Sequence, residues 1–195
     1  MPEQLPLRAM VLGASTGGVA ALKGLLGALP EVFPVPILIV LHISPEAEGT
    51  LAALMNEWTP LRVKEADADE LPQPGTAYLA PANYHLQVEP DGRLSLSTDP
   101  PVHFARPSVD VLFETAAAAH GPALAGILLT GGGSDGSLGL KCIQKGGGIT
   151  IVQDPRDAEC DAMPLAALRQ VTPDYLISLA ELPGLMIRLT CPYPQ

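Results

Sequence analysis

Short aliphatic runs alternate with longer mixed stretches along most of the chain, and the spacing predicts strands and helices in turn. Arg8–Ala14 (RAMVLGA) reads as a buried strand that ends in a glycine-rich turn at Ser15–Gly18, with a helix over Val19–Leu29 stopped by Pro30. Pro36–Ile43 (PILIVLHI) is a nearly unbroken apolar run, the kind found where both faces of a strand are covered. Glu48–Trp58 reads as a helix and Arg62–Ala66 as a short strand. Thr76–Ala80, Tyr84–Glu89 and Arg93–Ser97 are short alternating runs separated by Pro-Ala-Asn and Pro-Asp-Gly, which predicts an antiparallel ribbon or hairpin. Pro107, placed in a first helical turn, opens a helix over Ser108–His120, and Ala123–Thr130 (ALAGILLT) is a further buried strand. A second glycine-rich turn, Gly131–Gly136, leads into a helix over Ser137–Lys145. Strands at Gly148–Val152 and Tyr175–Leu179 then alternate with helices at Pro164–Gln170 and Ala180–Leu189. Such alternation implies an α/β fold, a doubly wound and mainly parallel sheet with right-handed crossovers, in which the antiparallel β-hairpin is an insertion.

The chain of 195 residues has no Gly/Ser-rich linker and no repeat, so residues 1–195 are expected to form one domain. With 47% hydrophobic residues and 16% charged ones, it can form a real core, and disorder is excluded as its main description. Net charge is −10, and no basic block is available to neutralise phosphates, which argues against nucleic acid and against an anionic membrane surface. The three cysteines, Cys142, Cys160 and Cys191, are widely spaced and odd in number, which suits a reducing compartment without a disulfide framework. The start MPEQLPLRAM lacks the basic-then-apolar plan of a signal peptide, and no apolar run is long enough to span a bilayer, so the cytoplasm is the expected location.

Three polar clusters follow otherwise apolar strands, the place where open α/β sheets carry their sites. Gly13–Gly18 (GASTGG) contains G-x-S-x-G between a predicted strand and helix, a turn that can expose the Ser15 hydroxyl as a nucleophile. It also suits an anion-cradling loop or a plain serine N-cap. His42 closes the PILIVLHI strand and fits either a general base or a hydrogen-bonded core histidine. Thr130–Gly136 (TGGGSDG) exposes backbone amides suited to an oxyanion, and its Asp135 fits either an N-cap or a carboxylate that orients imidazole. No metal-ligand spacing and no cofactor motif stands out, so neither a metal nor a cofactor is expected.

Taken in order, GASTGG, His42 after a strand, Tyr78–Pro81 (YLAP), Arg106–Phe113 (RPSVDVLF), Leu129–Gly136 (LTGGGSDG) and Gln153-Asp154…Met163-Pro164 resemble the catalytic domain of chemotaxis-type protein-glutamate methylesterases, the CheB family. The resemblance covers nearly the whole chain. It implies a serine hydrolase that cleaves glutamate γ-methyl esters on the cytoplasmic helices of chemoreceptors, with glutamine deamidation as a second activity of the family. By position it implies Ser15 as nucleophile, His42 as general base and acid, Asp135 as orienting carboxylate, and backbone donors of Gly132 and Thr16 for the oxyanion. Arg106 is carried over either as a contact to an acidic receptor helix or as a structural salt bridge near the helix entry. Methylated chemoreceptor helices are the implied partner, with a separate response regulator or methyltransferase as a further one.

The chain departs from the family pattern at four places. Gly132 stands for a usual Met, Leu41 for a usual Gln before the histidine, His103-Phe104-Ala105 for a more polar stretch, and Ala162 for the Gly of G-M-P. The first predicted strand begins within a few residues of Met1, so phosphorylation of a receiver domain in the same chain is not expected as the control. Competing readings are an esterase or amidase of the same fold acting on another substrate, a catalytically silent binding module, and nucleotide binding at GASTGG.

Overall fold

A computed structural model of the chain describes residues 5–42 and 50–191. Its strands are β1 (Ala9–Ala14), β2 (Ile37–Leu41), β3 (Arg62–Glu65), β4 (Thr76–Leu79), β5 (His85–Val88), β6 (Leu94–Ser97), β7 (Leu124–Leu128), β8 (Ile149–Gln153) and β9 (Tyr175–Ile177). Its helices are α1 (Gly18–Gly27), α2 (Thr50–Asn56), α3 (Val109–His120), α4 (Ser137–Lys145), α5 (Ala162–Gln170) and α6 (Leu182–Thr190), with a short 3₁₀ turn at Gly121–Ala123. The end of the second predicted strand, Ile43, and the start of the next predicted helix, Glu48 and Gly49, lie outside the described residues.

Seven strands form one parallel sheet in the order β3-β4-β2-β1-β7-β8-β9, and β5 and β6 pair separately as the antiparallel hairpin. Every residue of β1, β2, β7 and β8 is buried, as the continuous apolar runs demand of strands covered on both faces. Alternate residues of β1 feed two cores. Met10, Leu12 and Ala14 join Leu22, Leu25 and Met186 on one face, while Ala9 and Val11 join Leu112, Phe113 and Ile143 on the other.

Two sequence expectations are corrected here. Thr76–Ala80 does not belong to the ribbon: β4 is an interior parallel strand between β3 and β2, with all four residues buried. Period-two alternation cannot tell a hairpin arm from a short interior strand, because the pairing partner is distant in sequence. Pro107 lies just before Ser108, the N-cap residue of α3, and so outside the first turn.

The chain runs outward from β1 through β2 and returns to place β7 on the other side of β1. The order reverses between β1 and β7, and a crevice forms there beyond the carboxyl ends of the strands. Gly13 and Gly131 allow close packing at that end. A Cβ on Gly13 would lie 2.3 Å from Val109 Cγ1, and one on Gly131 would lie 2.1 Å from Met163 Sδ and 2.8 Å from Ser15 Cβ. The starts of α3 and α5 can therefore press against the loops after β1 and β7.

Candidate active site

Ser15 follows β1 directly and is half-buried. Its N–H donates to Thr130 O at 3.0 Å, and its carbonyl accepts from Gly18 N–H at 2.7 Å. The N-cap of α1 is Gly17, at φ 78, so the capping alternative for the Ser15 side chain does not hold. The next loop is fastened from a third side. Gly131 N–H donates to Cys160 O and its carbonyl accepts from Met163 N–H, while Thr130 Oγ1 donates to Thr16 O at 2.9 Å. With Gly131 held at both backbone groups, the N–H groups of Gly132 and Thr16 donate to nothing among the described residues, and both residues are exposed. A Cβ on Gly132 would lie 3.7 Å from Thr16 Oγ1, so the two residues are neighbours.

His42 and Asp135 meet. His42 Nε2 lies 2.9 Å from Asp135 Oδ2, although the residues are 93 positions apart. The carboxylate takes three further donors: Ser108 Oγ–H at 2.8 Å, Val109 N–H at 2.7 Å and Asp110 N–H at 3.0 Å. Burial pushes the Asp135 carboxyl up, but the bonds from His42, the Asp110 and Val109 amides and the Ser108 hydroxyl outweigh it and hold the group below the usual aspartate value. An ionised carboxylate only accepts, so Nε2 carries the imidazole proton and Nδ1 keeps its lone pair.

The N-cap reading of Asp135 is therefore also corrected. The N-cap of α4 is Gly136, at φ 92, and it makes no side-chain bond. Asp135 instead satisfies the free amides of α3, a different helix, where the positive end of the peptide dipoles favours an anion. Asp110, in the first turn of α3, does the converse, its Oδ1 accepting Gly139 N–H of α4 at 2.6 Å. The two carboxylates thus cross between two helix starts.

A cleft of about 400 Å³ opens over these groups, lined by His42, Gly132–Asp135 and residues 103–107. Ser15 stands beside it next to Gly131, and among the described residues no hydrogen bond joins its Oγ to His42. Such contacts often tighten only once substrate is bound. Arg106 lines the same cleft, but its Nη1–H donates to the carbonyls of Thr98 and Asp99 at 2.9 and 3.1 Å. Among the described residues it makes no ion pair, so of its two sequence readings the structural salt bridge is replaced by bonds to backbone oxygens.

Sequence reasoning placed Ser108, Asp110, Thr130 and Gln153 within its motifs but gave none of them a role. Gln153 Oε1 accepts Thr130 N–H at 2.8 Å from within the sheet. The available signal was polarity inside otherwise apolar segments, since all four are buried.

Residues 10–186 match the family model described as CheB methylesterase. A protein of Leptospira interrogans (strain Fiocruz L1-130), provisionally named a protein-glutamate methylesterase/protein-glutamine glutaminase, is 43% identical over 93% of this chain and 94% of its own length. The protein-glutamate methylesterase FrzG of Myxococcus xanthus is 42% identical over 86% of this chain, which spans 49% of that protein. The crystal structure of the CheB methylesterase catalytic domain of Thermotoga maritima superposes with a TM-score of 0.90 at 30% identity, covering 95% of this chain and all of that one.

Proposed function

The chain belongs to the CheB methylesterase family, and on that premise we propose that it hydrolyses glutamate γ-methyl esters on the cytoplasmic helices of chemoreceptors by a serine-hydrolase mechanism. The observation that carries the proposal is the 2.9 Å bond between His42 and Asp135 in the cleft beside Ser15. Ser15 Oγ attacks the ester carbonyl while its proton passes to His42 Nδ1. The N–H groups of Thr16 and Gly132 hold the oxyanion, where preorganised donors count most. Collapse of the intermediate breaks the bond to the methoxy oxygen, His42 returns the proton, and methanol leaves an acyl-enzyme on Ser15. Water, deprotonated by His42, attacks that acyl group and releases the glutamate carboxylate. With a glutamine side chain the same steps release ammonia. Asp135 keeps the imidazole in the required tautomer and offsets the charge it gains.

The partner is accordingly a methylated chemoreceptor, with a separate response regulator or methyltransferase as a further one, and the setting is the cytoplasm. Among the described residues no helix is long and apolar enough to cross a membrane. Methanol release from a methylated receptor fragment tests the reading. Ser15→Ala is expected to lower it by about 10⁵-fold or more and to abolish labelling by a fluorophosphonate. Undiminished release would overturn the assignment.

A further inference from the structure

Residues 103–107 of the loop 98–107 line one wall of the cleft, and the proposed chemistry leaves most of that loop without a task. It is held at four places. Arg106 binds the carbonyls of Thr98 and Asp99. Buried His85 accepts Ser108 N–H at Nδ1, at 3.2 Å, and so donates from Nε2 to Pro100 O, at 3.1 Å. Val102 and Ala105 exchange backbone hydrogen bonds of 3.0 and 2.9 Å. His103 Nε2 lies 3.1 Å from Asp110 Oδ2, close enough to pair but not aligned as a hydrogen bond.

Within that frame two consecutive non-glycine residues, His103 at φ 49 and Phe104 at φ 63, occupy the left-handed region. L side chains adopt it reluctantly, and residues stay there only where their surroundings over-determine them. The result is a fully exposed Phe104 on the wall of the same cleft as His42 and Asp135. The loop spends its constraints on holding an aromatic ring away from its own protein.

The cleft volume of 400 Å³ suits an esterified side chain. A helix is about 10–12 Å across with its side chains and stays outside. The carrier of the ester must therefore rest on the rim, where Phe104 is the large apolar group among the described lining residues. We propose that Phe104 is a specificity-determining residue for polypeptide-borne esters, packing against an apolar side chain next to the ester, and that His103, through Asp110, is the positioning residue that holds the ring out. This inference rests on the ester-hydrolase reading above.

The test compares methanol release from a methylated receptor fragment with that from N-acetylglutamate γ-methyl ester. Phe104→Ala is expected to raise KM for the fragment at least threefold, with kcat within twofold, and to lower the kcat/KM ratio of fragment to small ester at least threefold. Phe104→Leu, which keeps an apolar contact, is expected to retain more than half of that ratio. His103→Ala is expected to raise the fragment KM in the same way, and the double variant to exceed Phe104→Ala by less than twofold, because both changes remove one contact. A rise below threefold in the folded Phe104→Ala protein overturns the proposal, and independent, multiplying effects of the two variants overturn the positioning role of His103. Wild-type enzyme that leaves the fragment uncleaved overturns this inference and the parent reading together. Wild-type enzyme that cleaves it with a KM indifferent to Phe104 overturns this inference alone.

Discussion

Two His–Asp pairs share one cleft, and they are not equivalent. Asp135 receives His42, a hydroxyl and two amides of α3, and its carboxyl is held low. Asp110, one helix start away, accepts Gly139 N–H at Oδ1, while its buried Oδ2 has His103 nearby but no aligned donor. Burial pushes its carboxyl up, and the charge of Asp135 adds to that against the amide of Gly139 and the imidazole of His103. Residue type is the same in the two pairs and the aspartates are equally buried, with side chains 4% exposed at each, although His103 is more exposed than His42. The number of aligned donors separates them. A carboxylate with four donors is a fixed negative charge suited to orienting a base, whereas one with a single aligned donor leaves an oxygen open for a neighbouring imidazole to approach.

The largest expected contrast lies in the histidines. His42→Ala should lower kcat for methanol release by about 10⁵–10⁶-fold, because the proposed attack by Ser15 would lose its base, and His103→Ala should leave kcat within about tenfold. Equal losses would merge the two pairs into one catalytic unit. Next come the carboxylates. Asp135→Asn should cost about 10⁴-fold in kcat by favouring the wrong tautomer. It should also cost about 2–4 kcal/mol in denaturant-measured stability, because an amide NH₂ would face donors. Asp110→Asn should keep kcat within about tenfold and stability within about 1 kcal/mol, since its oxygen can still accept Gly139 N–H.

The donor side gives a smaller effect. Gly132→Pro removes one N–H and should cost about 10²–10³-fold in kcat. Gly132→Ala would meet, among the described residues, only Thr16 Oγ1 at 3.7 Å and should fold normally with turnover near the wild-type rate. The smallest effect is on pH dependence. Asp135 has a folded-state pKa below its ordinary 3.8, so its stabilisation is present above that value and fades as pH falls through the folded pKa. Asp110 has the opposite sign: its contribution is present below 3.8 and is lost as pH rises through its raised folded pKa. Stability measured from pH 7 down to pH 3 should therefore fall less steeply in Asp135→Asn than in wild type, and more steeply in Asp110→Asn.

Much of this molecule is legible in one dimension, and the exceptions share a cause. The apolar runs that became β1, β2, β7 and β8 announce strands covered on both sides, because a parallel strand must bury both faces. The hairpin of β5 and β6 is equally plain, because its Pro90-Asp91-Gly92 turn is local, with Gly92 at φ 87. β4 was hidden because its neighbours β2 and β3 are reached only through crossovers. Asp135 had the look of a cap for the helix it precedes. In space it caps another helix, 26 residues back at Val109, which no local rule anticipates. Arg106 allowed a salt bridge within the chain, and in space two carbonyls take that place.

The sequence by itself determined which segments are apolar enough to form the sheet and which glycine-rich turns follow its strands. It also determined that a serine, a histidine and an aspartate stand at three of those strand ends. These are consequences of local sterics and of the periodicity of burial. The tertiary structure alone decided that the three ends are adjacent, in the order β2-β1-β7, and that His42 reaches Asp135 across the end of β1. It alone decided that one aspartate receives four donors and the other does not. Hydrogen-bond satisfaction in a buried site depends on what the rest of the chain brings within 3 Å, and that is set by packing, not by position in the sequence.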